Sequence, residues 1–545
     1  MKPLLRPRAR VPVAVLSALA VVSLAGCGNR VPHDKVEAVG NGYGPVAASQ
    51  ADGAAVPGGL TPPGVVTDTG GAVPTVPGTS GGVATAPGAG TGTATAAATP
   101  QASGGKPGGG TGPAAAAGAA PQAACPSTLS PIRLGQTLAT SGLVGASIGG
   151  LRTGLAVWAK DVNARGGVQC HPIELTQLDD GADAARVSAN WNTLVNERGV
   201  IALLAAGTPV ASAALRSAAE RDKVPVIGAD LNAEDYFNSP YLFPQGGLPL
   251  TAYDGSYMLA AKATGAGGTA GLLYCVEISI CTGVKNNHAK AAQRAGLKLG
   301  AVQAASLTQP DYAAECQAMK QSGVTVLFFA LDGSGSIRAA RSCLSIGYKP
   351  AIASSAIAIS AQAGADQSLR SLGVYLGTNN VPFMSDSPAA AVYRDAMERF
   401  APASAVEEQA LFGWASGKLF EAALAKVADK ARAGDVTTAM VLEGLWQLKN
   451  EKIGGLGPGV TFTKGSPVTA QDCFYGIKLG TDGYTAPNGA APTCFDKNGK
   501  ATQGATDAAA RQSVLAADLT STAAAVSSAR RAQARRRIRR NPPRV

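Results

Sequence analysis

The sequence predicts an α/β protein made of two doubly wound lobes, each a parallel sheet covered by helices on both faces. Between residues 132 and 377, short apolar segments alternate with longer segments whose apolar residues recur at helical spacing. The alternation pauses after residue 227 and restarts at residue 271, which predicts two sheets and not one. Residues 324–330 form a continuous apolar run, as expected for a parallel strand covered on both faces.

The first lobe begins with a strand at Ile132–Leu138 and a helix that follows it. Leu151, Leu155 and Val162 share one face of this helix, and the glycines at 166 and 167 end it, because glycine tolerates the left-handed backbone found at helix ends. Further strands are predicted at residues 173–178, 200–205 and 224–227, with helices at 182–197 and 211–221.

The second lobe repeats this alternation. Strands are predicted at residues 271–276, 297–304, 324–330 and 374–377, and helices at 283–295, 312–322 and 336–346. Three longer helices are predicted next, at residues 388–400, 407–431 and 437–448, followed by a β-rich segment at 460–484. In open parallel sheets ligands bind beyond the carboxyl ends of the strands. Two such lobes facing each other predict a cleft lined by the loops at 139–142, 206–209, 228–232, 276–282, 331–334 and 354–357.

The amino terminus has the layout of a secretory signal. A basic start is followed by an apolar run from residue 11 to residue 24, and then by Leu24, Ala25, Gly26 and Cys27. These four residues resemble the lipobox of bacterial lipoproteins, which implies cleavage after residue 26 and lipidation of Cys27. An ordinary cleaved signal and an uncleaved anchor are the alternatives. We therefore expect an extracytoplasmic protein held at the cell membrane.

Composition separates both ends of the chain from the folded part. Residues 27–124 are nearly all Gly, Ala, Pro, Thr and Val, and so few large apolar groups cannot offset the entropy cost of ordering the backbone. We expect a disordered tether there, and a disordered basic tail at 497–545. The formal net charge of +11 comes from these ends, four positive charges in the signal and eight after residue 529. The middle of the chain is close to neutral, so we expect no nucleic-acid partner.

The chain contains nine cysteines, and removing Cys27 leaves eight. An even number in an exported protein predicts disulfides, although spacing alone leaves the connectivity open. We expect the pairs Cys125–Cys170, Cys275–Cys281, Cys316–Cys343 and Cys473–Cys494, since each pair joins segments that the predicted fold makes neighbours. A metal site is not expected, because there is no C-x-x-C pattern and the three histidines lack the spacing of zinc ligands.

Several segments together resemble a known family. They read IRLGQTLATSG (132–142), GLAVWAKDVNARGG (154–167), IELTQLDD (173–180) and VPVIGAD (224–230). These segments are similar to the branched-chain amino-acid binding proteins of bacterial ABC importers, which have the type I periplasmic binding fold. The similarity continues through 311–348 and 412–424. It implies a monomeric receptor without catalysis or cofactor, which closes two lobes around a small polar metabolite, such as an amino acid, and presents it to an ABC permease.

The resemblance also implies a domain layout. The first lobe would comprise residues 125–250 and 380–455, and the second lobe residues 251–379 and 456–496. Three crossing segments would form the hinge, near residues 248–250, 379–382 and 454–459.

The resemblance assigns the ligand-binding residues of the first lobe. Family positions that hold the carboxylate and amine of the ligand match Ser141, Gly207, Thr208, Gly228, Ala229 and Asp230. The residues themselves leave other roles open, because Ser141 and Thr208 could cap helices and Asp230 could serve a turn.

In the second lobe the family pattern is broken. The aromatic positions of the family fall on Ile280 and on Asp332 or Gly333, and its acidic position falls on Ala356. Either Asp230, Glu277 or Asp332 replaces that acid, or the ligand is not an α-amino acid. Glu277 and Asp332 could also be solvated loop acids.

An enzyme is not expected. The phosphate-binding P-loop pattern is missing, and so is a dinucleotide fingerprint between a strand and a helix, and we also expect no G-x-S-x-G nucleophile elbow. His171 and His288 are the two histidines of the predicted lobes, which leaves little material for acid–base catalysis. A sensory or cell-surface receptor that uses the same fold remains the alternative to transport.

Overall fold

The computed structural model describes residue 125 and residues 127–265 and 267–503 of the chain. The predicted signal, Cys27, the whole of the predicted tether and the tail beyond residue 503 lie outside these residues. Within the described residues, no helix combines the length and apolar character needed to cross a membrane.

The first sheet has five strands, all parallel. They are β1 (Ile132–Leu138), β2 (Ile173–Asp179), β3 (Ala202–Ala206), β4 (Val226–Ala229) and β5 (Leu242–Phe243), in the order β2-β1-β3-β4-β5. The helices between them are α1 (Gly145–Ile148), α2 (Gly150–Ala164), α3 (Ala184–Trp191) and α4 (Ser212–Asp222). The sequence predicts four of these strands, and the two residues of β5 are too few to give a pattern.

The second sheet is larger and mixed. Its parallel part contains β6 (Thr269–Cys275), β7 (Lys298–Ala305), β8 (Val326–Ala330), β9 (Ala351–Ser355) and β10 (Val374–Thr378), in the order β7-β6-β8-β9-β10. The pair β11 (Val460–Thr461) and β12 (Thr469–Ala470) forms a separate ribbon. Antiparallel strands then extend the sheet beyond β10, namely β13 (Cys473–Gly480), β14 (Gly483–Thr485), β15 (Thr493–Phe495) and β16 (Ala501–Gln503).

The remaining helices follow in chain order. They are α5 (Pro249–Thr264), α6 (Ser279–Arg294), α7 (Ala313–Gln321), α8 (Gly333–Ser345), α9 (Ala361–Gly364), α10 (Gln367–Leu372), α11 (Pro388–Phe400), α12 (Glu408–Ala425), α13 (Ala428–Ala433) and α14 (Thr438–Trp446). The sequence predicts one helix at 407–431, whereas the structure divides that segment into α12 and α13. The sequence patterns also fail to predict α5 and β9.

The carboxyl end of the fold lies further along the chain than the sequence predicts. The boundary at residue 496 is too early, because β16 pairs with β15 across a turn. Gly499 takes a φ of +76° in that turn, and Asp496 Oδ1 accepts hydrogen bonds from the backbone N–H groups of Asn498 and Lys500. The predicted disordered tail at 497–545 therefore begins with an ordered turn and strand.

Helix α12 is buried along most of its length against the first sheet, and its closest neighbour is α2. Glycines make that contact. A β-carbon at Gly154 would overlap the carbonyl oxygen of Ala410, and one at Gly413 would overlap the carbonyl oxygen of Leu151. The two backbones therefore touch where they cross, and larger side chains at either glycine would separate the helices.

Four disulfides lie within the described residues, and they confirm the expected pairing. These are Cys125–Cys170, Cys275–Cys281, Cys316–Cys343 and Cys473–Cys494. The Cys275–Cys281 bridge closes a short loop between the end of β6 and the first turn of α6. Its position, at the carboxyl end of the second sheet, puts it at the cleft between the two sheets.

Candidate ligand-binding site

Three chain segments cross between the two sheets, and hydrogen bonds tie them together. The side-chain Nδ2 of Asn379 donates to the backbone oxygen of Gly247 at 2.8 Å. The Nδ2 of Asn380 donates to the oxygens of Gln245, at 3.0 Å, and Leu456, at 3.1 Å. Both asparagines are buried. These crossings lie at or beside the predicted hinge segments, and their adjacency gives the two halves a common axis.

A cleft lies between the carboxyl ends of the two sheets and contains about 550 Å³ of atom-free space, including its opening. Loops after β1, β3 and β4 line one side, with Val144, Ser147, Ile148, Pro209 and Asn232. The other side is formed by the ends of β6, β8 and β9 together with α5 and α6, with Tyr253, Cys275, Ile278, Ile280, Cys281, Val284, Phe328, Phe329, Ala330, Leu331, Asp332, Ser355, Ile357 and Ala358.

The lining is mostly apolar. Aliphatic and aromatic side chains and the Cys275–Cys281 disulfide form most of the wall, and Asp332 is the one charged residue among the lining residues of the described chain. A ligand that fills this cleft therefore meets hydrocarbon over most of its surface. Burial of such surface contributes roughly 25 cal/mol per Å² to binding, before the entropy cost of association.

Polar groups are concentrated at two points of the cleft. At the first, the hydroxyl of Tyr253 donates to Oδ1 of Asn232 at 2.8 Å, and so links the two sides. At the second, Asp332 caps α8 by accepting hydrogen bonds from the backbone N–H groups of Ser334 and Gly335. Burial raises the pKa of Asp332 above its ordinary value, although these two bonds oppose the effect.

The two sides of the cleft also touch elsewhere. The backbone N–H of Gly333 donates to Oγ of Ser147 at 3.0 Å. The side-chain Nε2 of Gln409 donates to the oxygen of Ile357 at 2.8 Å. A third bond runs from the N–H of Ala361 to a carboxylate oxygen of Glu407. The structure is therefore a closed arrangement of the two halves.

Of the eight residues predicted to bind the ligand, Asp332 is the one that stands among the described residues lining the cleft. Ser141, next to the first strand, is exposed and donates to Oδ2 of Asp179 at 2.5 Å. Glu277, in the loop closed by the disulfide, accepts from the Ser306 hydroxyl at 2.6 Å and from the Leu307 N–H at 2.9 Å.

Gly207 and Thr208 follow β3 and face inward. The N–H of Gly207 donates to the oxygen of Thr137, and its own oxygen accepts from the N–H of Ala139. The hydroxyl of Thr208 is fully buried and lies 3.1 Å from the hydroxyl of Tyr236. These groups hold the end of the first sheet together.

Gly228 and Ala229 end β4 and also have internal partners. Gly228 has a φ of +76°, and a β-carbon there would overlap the side chain of Ser416 on α12. The backbone of Ala229 is matched by Gln245, whose Oε1 accepts from the N–H at 2.9 Å and whose Nε2 donates to the oxygen at 2.7 Å. Packing explains the glycine at 228, and hydrogen bonding to Gln245 satisfies Ala229.

Asp230 is fully buried at the same edge of the sheet. Its Oδ1 accepts from the N–H of Asn232 at 2.7 Å, whereas its Oδ2 has no hydrogen-bond partner. Burial raises the pKa of Asp230 to about 7, and the nearby charge of Asp180 adds to the rise. Burial therefore favours the neutral form of this carboxyl group over the charged form.

Two patterns could have directed attention to cleft residues that the sequence prediction does not name. The expectation that the chain has no nucleophile elbow pattern is wrong, because Ser147 is the centre of Gly145–Gly149, which has the G-x-S-x-G spacing. In the structure its hydroxyl accepts a backbone hydrogen bond, and none of the residues that line the cleft is a histidine that could activate it. Asn232 belongs to a loop that the sequence does predict to border the cleft.

Comparison with known proteins agrees with this architecture. Residues 131–483 match the model of a family described as "Periplasmic binding protein". No curated protein matches.

Solved structures share the fold at low sequence identity. A fatty acid ABC transporter substrate-binding protein from Thermomonospora curvata is 21% identical, with a TM-score of 0.55, over 66% of this chain and 91% of that one. A possible leucine/isoleucine/valine-binding protein from Rhodopirellula baltica is 21% identical, with a TM-score of 0.56, over 67% and 98%. An ABC transporter solute-binding protein from R. palustris, in complex with benzoate, is 14% identical, with a TM-score of 0.54, over 67% and 98%.

Proposed function

The chain belongs to the periplasmic binding protein family, and on that premise we propose that it is an extracytoplasmic receptor that closes on a small solute and delivers it to an ABC permease. One observation carries the proposal. The carboxyl ends of two sheets face each other across a cleft, and three adjacent crossing segments connect the sheets. Such a hinge lets the lobes close around a ligand by backbone rotations confined to a few residues.

The fold alone does not indicate which class of ligand this chain binds. The structural neighbours named above are described as a fatty acid ABC transporter substrate-binding protein, a possible leucine/isoleucine/valine-binding protein and a solute-binding protein in complex with benzoate, and their identity to this chain is 21% or lower. The ligand class must therefore be derived from the side chains that line this cleft.

Anchoring at the membrane is part of the proposal and is supported by the sequence. Leu24 to Cys27 have the lipobox pattern, and the Gly- and Pro-rich segment after them would act as a linker between the lipid anchor and the two lobes. Replacing Cys27 by Ala should abolish palmitate incorporation and release the protein from the membrane fraction. Unchanged labelling of the variant would contradict the anchor.

Closure on a ligand can be tested by calorimetry and small-angle X-ray scattering on the purified mature chain. A panel of amino acids, carboxylates, amines and alcohols should contain at least one compound that binds and reduces the radius of gyration. A panel without any binder, or binding that leaves the radius of gyration unchanged, would contradict a closing receptor.

Gln409→Ala offers a variant that affects closure without touching the cleft wall. It removes the bond to Ile357 across the cleft, which contributes about 1 kcal/mol and corresponds to roughly fivefold in affinity if the bond forms only on closure. Gln317 lies exposed on α7, so Gln317→Ala is a matched control that should leave the affinity unchanged. Equal affinities for Gln409→Ala and the control would contradict a role for this contact in closure.

A further inference from the structure

Most polar groups expected to hold an amino acid are occupied within the protein, and the unpartnered Oδ2 of Asp230 is fully buried in a residue that is not among those lining the cleft. The Ser141 hydroxyl binds Asp179, the Thr208 hydroxyl pairs with Tyr236, and the backbone of Ala229 is matched by Gln245. A zwitterion in the cleft would have to displace these bonds or remain unpaired. Either outcome is unfavourable, since unpaired charges are the most costly groups to bury.

The helix end that could receive an anionic group is occupied too. The amino terminus of α8 faces the cleft, where free N–H groups would attract a carboxylate. The N–H of Gly333 instead donates to Ser147, and those of Ser334 and Gly335 donate to Asp332. The first donors of this helix are therefore used within the protein.

The charge of the wall also opposes an anion. Asp332 is the charged group among the described residues that line the cleft, and no lysine or arginine stands among those lining residues. A carboxylate ligand would meet a like charge in a mostly hydrocarbon environment. A hydroxyl or an ammonium group, in contrast, could donate to the lone pairs that Asp332 retains after capping the helix.

We propose that the ligand is a hydrophobic compound whose polar end is a hydrogen-bond donor without negative charge, a hydroxyl or an amine, and not an α-amino acid or a carboxylate. This inference rests on the proposed function, because it names the solute class of the same cleft. The apolar walls take the body of the ligand, and Asp332 takes its polar end.

Four probes separate the possibilities by calorimetry on the mature chain: octan-1-ol, octylamine, octanoate and leucine. The alcohol and the amine should bind at least about tenfold more tightly than octanoate or leucine. Octanoate or leucine binding as tightly as the alcohol would overturn the ligand class and leave the receptor function standing. Failure of all four probes, together with a wider panel of amino acids and carboxylates, would overturn both.

Asp332→Asn tests the assigned contact. Asparagine can still cap α8, so the fold should persist, but the negative charge is lost. Octylamine should then bind about tenfold more weakly, while the affinity for octan-1-ol changes less than about threefold. Asp183 caps α3 on the surface outside the cleft, so Asp183→Asn is the matched control and should change neither affinity. An unchanged amine-to-alcohol preference in Asp332→Asn would overturn the assignment of Asp332.

Discussion

The free energy of unfolding should depend on pH through Asp230, the buried carboxyl group at the end of β4. The side chain is inaccessible to solvent, and its Oδ2 lacks a hydrogen-bond partner. Asp180, also buried, lies close enough to raise the pKa of Asp230 further, and burial raises the pKa of Asp180 itself to about 6. Two carboxyl groups in one buried region oppose each other's ionisation.

The direction of the pH dependence follows from the pKa of Asp230 in the folded and unfolded states. Burial raises it from the ordinary value of 3.8 to about 7, so the folded state binds the proton more tightly. The stability that results is complete below pH 3.8 and is lost as the pH rises through about 7. Integrated over that range, the loss is about 4 kcal/mol.

Asp230→Asn should remove this dependence. The amide can still accept the hydrogen bond from Asn232 N–H and never ionises. Relative to the wild type, the variant should gain about 4 kcal/mol in unfolding free energy between about pH 4 and about pH 8. Removing the charge of Asp230 also makes ionisation of Asp180 less costly, which raises the unfolding free energy of the variant further. A double-mutant cycle with Asp180→Asn would measure the coupling between the two carboxyl groups.

Urea denaturation followed by tryptophan fluorescence is a suitable assay, because Trp158, Trp191 and Trp414 are fully buried on or against the first sheet. Asp311→Asn in the second lobe is the control, since it removes an exposed carboxylate that accepts a hydrogen bond from Ala313 N–H at the start of α7, and it should keep the pH profile of the wild type. Parallel profiles for the wild type and Asp230→Asn would refute the reasoning.

Two further perturbations test the cleft wall and the packing of the first sheet. Replacing Cys275 and Cys281 by serine should weaken ligand binding about tenfold, because the loop that they close forms part of the wall. The same change at Cys316 and Cys343 should lower the melting temperature with little effect on affinity, and equal affinity losses would contradict the positioning role. Gly228→Ala should destabilise the protein by about 3 kcal/mol, because the added methyl overlaps α12 at a positive φ. An unchanged denaturation midpoint would contradict that packing argument.

Sequence patterns predict most strands of this protein but miss helix α5. The bounds of β1 are predicted to the residue, and β8 appears as the continuous apolar run. Helix α5 is missed because it is buried along most of its length, including Thr251, Asp254 and Ser256, so that no apolar stripe separates a buried face from a solvent face. Its one local signal is Pro249 at the first helical position.

For the candidate site, the sequence predicts which loops reach the cleft, but packing determines which of their side chains face it. Strand order fixes which loops reach the cleft, and the predicted loops after β3, β4, β6, β8 and β9 each contribute lining residues. The direction of a loop side chain depends on neighbours distant in the sequence. Thr208 turns toward Tyr236, whereas Asn232, two residues after Asp230, reaches the cleft. No local pattern distinguishes these outcomes.

Hydrogen bonds between the lobes and apolar contacts with a ligand both contribute to closure of the cleft. The hydrogen bonds Gly333–Ser147, Gln409–Ile357 and Ala361–Glu407 each contribute about 1 kcal/mol net, because water satisfies the same groups when the lobes part. These three bonds therefore stabilise the closed arrangement only modestly. An apolar ligand favours closure further, since the hydrocarbon wall offers it burial at roughly 25 cal/mol per Å² and water offers no substitute. Apolar area on the ligand, more than hydrogen bonds between the lobes, therefore determines how tightly this cleft closes.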